Sequence, residues 1–375
     1  MIGLYIHVPF CKRKCHYCDF PSWAGREDQI AAYFDRLLTE ISAFARAWGP
    51  RSVDTVYFGG GTPSLVGAEY IARVMETIHR HFTLADPECT LELNPASVDL
   101  DKIKTYRAWG INRVSVGLQA SQDALLKTLG RLHSWGDFVK TMAALDKAGI
   151  DNISADLMLG LPGQTVAMLL DSARALADFA GLRHISCYSL KVEEGTVFYK
   201  RQLQGTLDLP DEKTERAMQH AVIKALEALG YKQYEISNFA RPGFESRHNS
   251  RYWDLSEYVG FGLGAASYFG GRRFTNTFDL KTYISTSPDQ PVVRAEDHLL
   301  DAAEARGDFM FLGLRRMAGV AEAEYKRLFN RSFFEDYGPE IADLEARGLI
   351  KRTAAGIALT DLGQDLANQV FMAFV

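Results

Sequence analysis

The sequence predicts an α/β fold built on a parallel sheet. Six short β-rich runs, a helical pattern between successive runs, and loop motifs that begin where the runs end all point to it. The strand candidates are Leu4–Val8, Val53–Phe58, Thr90–Asn94, Arg113–Leu118, Ile153–Leu159 and His184–Leu190. Helical stretches lie near 28–47, 66–82, 99–108, 121–129 with 136–148, and 166–180. Parallel neighbours require crossover connections, which are right-handed, so the helices cover the sheet. Alternation alone leaves open whether the sheet is flat or curled. In either case the loops at the carboxyl ends of the strands form the functional rim.

Size and composition suit an enzyme-sized intracellular protein. The 375 residues accommodate one domain of roughly 200–250 residues and a smaller one. Hydrophobic residues make up 47%, enough for a full core, and the net charge of −5 excludes general binding to nucleic acid or an acidic membrane surface. Of five cysteines, three are clustered, which is no disulfide framework. Cys89 and Cys187 lie in apolar runs and read as buried packing residues. Leu4–Val8 is too short for the apolar region of a signal peptide, and no apolar run approaches ~20 residues. The expectation is a reduced, cytoplasmic protein without an integral membrane segment.

The first strand runs straight into Cys11, Cys15 and Cys18, spaced C-x3-C-x2-C. Three thiolates hold a four-iron cluster with one iron left open, where a cofactor can bind. Zinc is the alternative, with His16 as the missing ligand, but His16 sits between two of the cysteines and would strain the loop. Lys12, Arg13 and Lys14 read as a solvated charged face. This spacing resembles that of the radical S-adenosylmethionine (SAM) superfamily. The resemblance implies a partial (β/α)6 barrel and a [4Fe–4S] cluster whose fourth iron is chelated by the amino and carboxylate groups of S-adenosyl-L-methionine. It also implies that Tyr17 packs against the adenine.

Further motifs follow the later strands. Gly59-Gly60-Gly61-Thr62-Pro63 is either a tight turn or a place where backbone approaches a ligand closely. Glu92 stands mid-strand among apolar neighbours, where an acid is costly unless paired, so it is expected to face a polar cavity. Gln119 ends the fourth strand, Arg131 is suited to gripping a carboxylate, and Asp156 follows on the fifth. Together they place one polar residue at the rim of strand after strand. The sequence is similar to the coproporphyrinogen III oxidase-like branch of the superfamily. There Tyr5, Gly60, Gly61, Thr62, Glu92, Gln119, Arg131 and Asp156 match SAM-site positions. Because the oxidases bind two SAM molecules, Gln119, Arg131 and Asp156 are also candidates for a second site.

Two features sort the branch. The oxidases carry a further cysteine two residues after the third, where this chain has Phe20. Arg247-His248-Asn249-Ser250-Arg251-Tyr252-Trp253 resembles the H-N-x-x-Y-W motif of the HemW group, which is associated with haem. His248 is a candidate iron ligand, Asn249, Tyr252 and Trp253 complete the candidate haem site, and Arg247 and Arg251 are candidates for the propionates. A buried histidine beside two core aromatics is the plainer reading of such a group. Gly260–Gly264 reads as a glycine-rich turn, followed by Ser267 where many relatives carry histidine.

The resemblance implies a haem chaperone that binds the cluster, SAM and haem as cargo, with a haem-accepting apo-protein and an electron donor such as flavodoxin or ferredoxin as partners. It also implies a core capable of reductive SAM cleavage. An oxygen-independent coproporphyrinogen III oxidase and another anaerobic haem-processing enzyme are the alternatives. The expected domains are 1–290 and 291–375, with a hinge over Ser285–Asp297. Beyond it come helices at Leu299–Leu314, Glu322–Leu328 and Ile341–Arg347. A two-stranded wing over 349–360 and a closing helix Asp361–Phe371 complete a winged-helix-like module. From Leu299 onward 9 Lys/Arg face 12 Asp/Glu, which argues against reading DNA.

Overall fold

The computed structural model describes residues 1–287 and 290–375. Six parallel strands stand side by side in chain order: β1 (Ile2–Val8), β2 (Ser52–Gly60), β3 (Thr83–Leu93), β4 (Arg113–Gln119), β5 (Ile153–Leu159) and β6 (Leu182–Ser189). All six expected strands are there, and β3 begins at Thr83 rather than Thr90. Between them run α1 (Ile30–Trp48), α2 (Ala68–His81), α3 (Leu100–Ala108), α4 (Trp135–Ala148) and α5 (Val166–Ala177). Helix α1 buries Tyr33, Phe34, Leu37, Ile41 and Ala45, a spacing of three and four that makes one apolar stripe. Helix α4 starts in a capping box, Ser134 with Asp137, and stops at Gly149 with φ 72°, so its ends are set locally.

Side chains alternate along each strand. Leu4, Ile6, Val56, Phe58, Leu91, Val114, Val116 and Ala155 lie in the core beneath the helices. Their neighbours in sequence, among them Tyr5, Tyr57, Glu92, Ser115 and Asp156, share the opposite face, as the register Tyr5 to Tyr57 and Glu92 to Ser115 shows. Because the helices take one face, the sheet curls around the other, and that inner face is polar. This is the partial barrel.

The sheet continues on both sides. The antiparallel strands β7 (Lys232–Glu235) and β8 (Asn238–Ala240) extend it beyond β6. On the other side β9 (Tyr258–Phe261) pairs parallel with β1, and β10 (Ala266–Phe269), β11 (Arg272–Asn276) and β12 (Arg294–Leu299) follow antiparallel. The sheet has 12 strands in all, with β12 and β7 at its edges. Two expectations are corrected here. The stretch read as a turn from Gly260 is a strand through Phe261, because its backbone pairs with Gly3–Ile6. The chain after residue 290 does not start helical: Arg294–Leu299 is an edge strand held to β11 by the Arg272–Asp297 ion pair at 2.8 Å. Strand β12 therefore takes up part of the expected hinge, whose Pro288 and Asp289 lie outside the described residues.

The C-terminal module has its own core, including Phe309, Met310, Leu314, Tyr325, Phe333, Ile341 and Leu344. Its first helix is Ala302–Gly313, capped by Asp301 and Glu304. The wing is present as Ile350–Arg352 against Gly356–Leu359, joined by a third strand, Val320–Ala321. The closing helix is two helices, Asp361–Asp365 and Ala367–Phe371. The module docks on the β7 edge: Ile236 N donates to Arg315 O at 3.1 Å and Met317 N to Tyr234 O at 3.0 Å. No helix among the described residues is long and apolar enough to cross a membrane.

Candidate functional site

Strand β1 delivers the chain to Phe10–Cys11, which pairs with Trp23–Ala24 and so closes the cysteine loop. Cys11 is buried, while Cys15 and Cys18 are half-buried, and all are free thiols. Thr62 Oγ1 donates to Cys11 Sγ and Arg131 Nη1 to Cys15 Sγ, each at 3.6 Å. Burial raises the Cys11 thiol pKa and pushes that of Cys18 up to about 11, so ligation must displace protons. Among the described residues no three His, Cys, Asp or Glu side chains converge on a single ion. A cubane differs from zinc here, because it spreads its thiolates over separate irons.

The residues between the cysteines fasten the loop to the turn after β4. His16 Nδ1 donates to Thr128 O at 2.9 Å, so that nitrogen is taken by the fold and not by a metal. Arg13 donates to Gly130 O at 2.6 and 3.1 Å and Lys14 to Phe20 O at 3.1 Å. Lys12, Arg13 and Lys14 are exposed, as expected of a solvated charged face, and Arg13 also ties the loop to Gly130. Gly130 has φ 75°, and a Cβ there would lie 2.9 Å from the His16 ring; only glycine lets the two loops close.

The glycine turn performs a similar task. Gly60 N donates to Glu92 Oε2 at 3.2 Å, Gly61 N to Val8 O and Thr62 N to Phe10 O at 2.9 Å. Gly60 has φ 110°, and a Cβ on it would meet the His7 ring at 2.5 Å. Its lack of a side chain makes room for His7, whatever ligand approaches later.

Inside the curl the predicted residues lie along one face of the sheet, in several small hydrogen-bonded groups. Glu92 accepts from Tyr57 OH at 3.0 Å, and Tyr57 stacks on Tyr5 with centroids 6.2 Å apart. Asp156 accepts from Ser115 Oγ at 3.2 Å and Gln119 Oε1 from Tyr188 OH at 3.1 Å. Arg131 Nη2 donates to Gly117 O at 2.5 Å and Asn94 Oδ1 at 3.3 Å, while its buried Nε has no partner. Tyr17 packs at the mouth against the cluster of Leu125, Leu126 and Phe198. Burial, then Asp156, pushes Glu92 up to about 7, and burial pushes Asp156 up to about 6. Two half-buried carboxylates and a guanidinium with a spare donor suit a ligand carrying both charges and hydroxyls, and the donor beside Cys15 suits an anionic cluster.

These carboxylates carry a pH prediction. In the unfolded chain Glu92 loses its proton near 4.5 and in the folded chain near 7. The native state therefore holds more protons in between, and stability falls as pH rises through that window. Asp156 acts in the same sense. Glu92→Gln should make the apoprotein more stable at pH 8, by about 1 kcal/mol or more, with little change at pH 4. Urea denaturation at the two pH values measures it, and an equal effect at both would refute the shift.

The motif helix, Arg247–Trp253, meets this face of the sheet through His248, whose ring packs on Tyr57. His248 is 0% exposed, with Nδ1 at 2.9 Å from Thr55 Oγ1 and Nε2 at 3.0 Å from Tyr252 OH. Burial lowers its pKa to about 3. Both nitrogens of the histidine expected to bind iron are hydrogen-bonded within the fold. Arg247 donates to Asp86 O at 2.8 Å and Arg251 is paired with Asp54; neither waits for a propionate. Trp253 lies under the Arg315 guanidinium, 4.5 Å from its ring centre, and therefore faces the C-terminal module. Asn249 N donates to Ser246 Oγ at 3.3 Å, an N-cap. Ser267 Oγ accepts from Gly260 N at 2.9 Å and is buried, a bridge between β9 and β10.

The radical SAM superfamily profile matches residues 5–176, and that of the HemN C-terminal domain matches residues 300–366. The protein named heme chaperone HemW of Bacillus subtilis is 37% identical over 100% of this chain and 99% of its own length. That of Lactococcus lactis is 36% identical over 99% and 96%. This chain belongs to the radical SAM superfamily, in its coproporphyrinogen oxidase-like branch. The bovine radical S-adenosyl methionine domain-containing protein 1, mitochondrial, is 39% identical over 100% of the chain and 87% of its own. Among solved structures, coproporphyrinogen III oxidase (HemN) of Escherichia coli superposes with a TM-score of 0.86 at 23% identity, covering 100% of this chain and 89% of that one. At that identity the likeness is one of fold.

In this radical SAM chain, sequence reasoning passed over Tyr57, Tyr188, His7 and Ser115. A signal was available for two of them: His7 stands two residues from Tyr5 and Tyr57 two from Gly59, each on the same strand face.

Proposed function

We propose that this chain is a haem chaperone of the HemW kind. Cys11, Cys15 and Cys18 would hold a [4Fe–4S] cluster, with Arg131 as its buried counter-charge. SAM would occupy the barrel interior, its adenine beside Tyr17 and its polar groups toward Tyr5, Gly60, Gly61, Thr62, Glu92, Gln119, Arg131 and Asp156. When both are bound, the reduced cluster supplies the electron for SAM cleavage. What this chain's residues contribute is orientation and exclusion of water, through Thr62 at Cys11, Arg131 at Cys15 and the Tyr57–Glu92–Gly60 bridge. Haem is the cargo, passed to an apo-protein, and a small electron-transfer protein is the reductant.

One observation carries the reading: end-to-end similarity, 37% over the whole chain, to a protein named for haem chaperone activity. Phe20, in the place of the oxidases' additional cysteine and 61% exposed, supports it. The test is anaerobic reconstitution followed by two assays in parallel. The protein should acquire a Soret band on adding haem and lose it to an apo-haem protein, and it should leave coproporphyrinogen III unconverted under reducing conditions with SAM. Decarboxylation without haem affinity would replace the chaperone by the oxidase.

A further inference from the structure

The Arg247–Trp253 helix closes the amino-terminal end of the barrel, opposite the cysteine loop. Its first turn is fixed from below: Glu88 accepts from Arg247 N at 3.2 Å and from His248 N at 3.1 Å. Glu88 in turn pairs with buried Arg113 at 3.7 Å. Arg251, paired with Asp54, also donates to Glu257 O at 3.1 Å. From this platform the His248 ring rises into the curl. It stacks on Tyr57, centroids 5.2 Å apart at 26°, and on Tyr5 at 6.4 Å and 29°.

Two lines lead from that stack to the other end. Tyr57 OH donates to Glu92, whose second oxygen accepts from Gly60 N. Tyr5 OH meets His7 Nδ1 at 3.1 Å, and His7 Nε2 meets Pro21 O at 2.8 Å. A carbonyl only accepts, so Nε2 carries the proton and Nδ1 accepts from Tyr5. The column therefore has one hydrogen-bond direction, from Tyr5 through His7 to the segment just after the cysteines.

We propose that His248 is a positioning residue for the SAM pocket: it plugs the closed end of the barrel and holds Tyr57, and through it Glu92, in binding geometry. The proposal rests on SAM occupying the barrel. It gives the His-Asn-x-x-Tyr-Trp group a task other than ligating iron. The His248 ring packs on the neighbouring Tyr5 and Tyr57 and both its nitrogens are hydrogen-bonded, and freeing them would require breaking the Glu88 cap, the Arg251–Asp54 pair and two side-chain hydrogen bonds. Its removal leaves a hole beneath Tyr57. Interiors are packed densely enough that the ring above would tilt, and a hydroxyl displaced by ~1 Å leaves hydrogen-bond range.

The experiment uses the full chain with its cluster reconstituted, reading SAM affinity by equilibrium dialysis, iron content, and haem affinity by absorbance. His248→Ala and Tyr57→Phe should each weaken SAM by about tenfold or more with iron content unchanged. The double variant should be no weaker than the weaker single, since both act through Glu92. The triple variant Thr55→Val, His248→Phe, Tyr252→Phe keeps the stacked ring and removes all three polar partners together, a change that is nearly neutral when shapes match. It should bind SAM within about threefold of wild type and still bind haem, and it covers the case in which His248→Ala does not fold. Unaltered SAM affinity in His248→Ala would overturn the proposal, as would a triple variant that keeps SAM but loses haem. A wild-type protein that binds no SAM at all would instead remove the underlying reading.

Discussion

Replacing Cys11, Cys15 or Cys18 by alanine is expected to abolish iron incorporation and the brown chromophore, where wild type should carry ~4 Fe and ~4 sulfide per chain. Cys89→Ala and Cys187→Ala should leave both intact. The two groups differ in surroundings, not in chemistry. Cys89 and Cys187 lie in the apolar core, 1% and 5% exposed, with thiols pushed up to about 12 by burial. No ion reaches them, and their loss costs only packing. The three loop cysteines have a hydroxyl and a guanidinium aimed at two of their sulfurs, donors that suit an anionic cluster. Iron and sulfide assay after anaerobic reconstitution decides the matter. Loss of cluster in the Cys89 or Cys187 variant would sink the assignment.

The largest effect on stability is expected at the closed end of the barrel. Arg113 and Glu88 are 2% and 6% exposed and face each other at 3.7 Å. Arg113 Nη1 also donates to Phe244 O at 3.0 Å and Asn152 Oδ1 at 3.3 Å. Glu88 also caps the motif helix. Arg113→Ala removes the cation but leaves the carboxylate buried, which typically costs about 3–5 kcal/mol. Adding Glu88→Gln removes the stranded charge and should recover part of that loss, an interaction a urea denaturation cycle resolves. A single variant losing less than about 1 kcal/mol would mean that water reaches Glu88 and that this end of the barrel is open.

Much of the architecture was legible because it is encoded at short range. The strand and helix alternation and the cysteine spacing are both readable within a few residues. Glu92 was legible for the opposite reason, since an acid among apolar strand neighbours is costly and so announces a polar cavity, and Asp156 through its place at the rim. Tyr188 was not, because an aromatic in a strand looks the same whether it faces helices or the barrel interior. Only register and curl separate the two. Arg13 and Lys14 are solvent-facing as read, but their contacts to Gly130 and Phe20 follow from how the cysteine loop closes.

The sequence by itself determined the superfamily, the six strands in their order, and the thiols that can hold a cluster, since each depends on local spacing or strand period. Tertiary structure alone decided what His248 does. Thr55, which takes one of its nitrogens, stands 193 residues away in sequence, and Tyr57, Tyr5 and Glu88 reach it from three separate strands. A histidine's role depends on which atoms satisfy its two nitrogens and which rings pack against it. Those atoms meet only when the sheet curls and the helix closes its end.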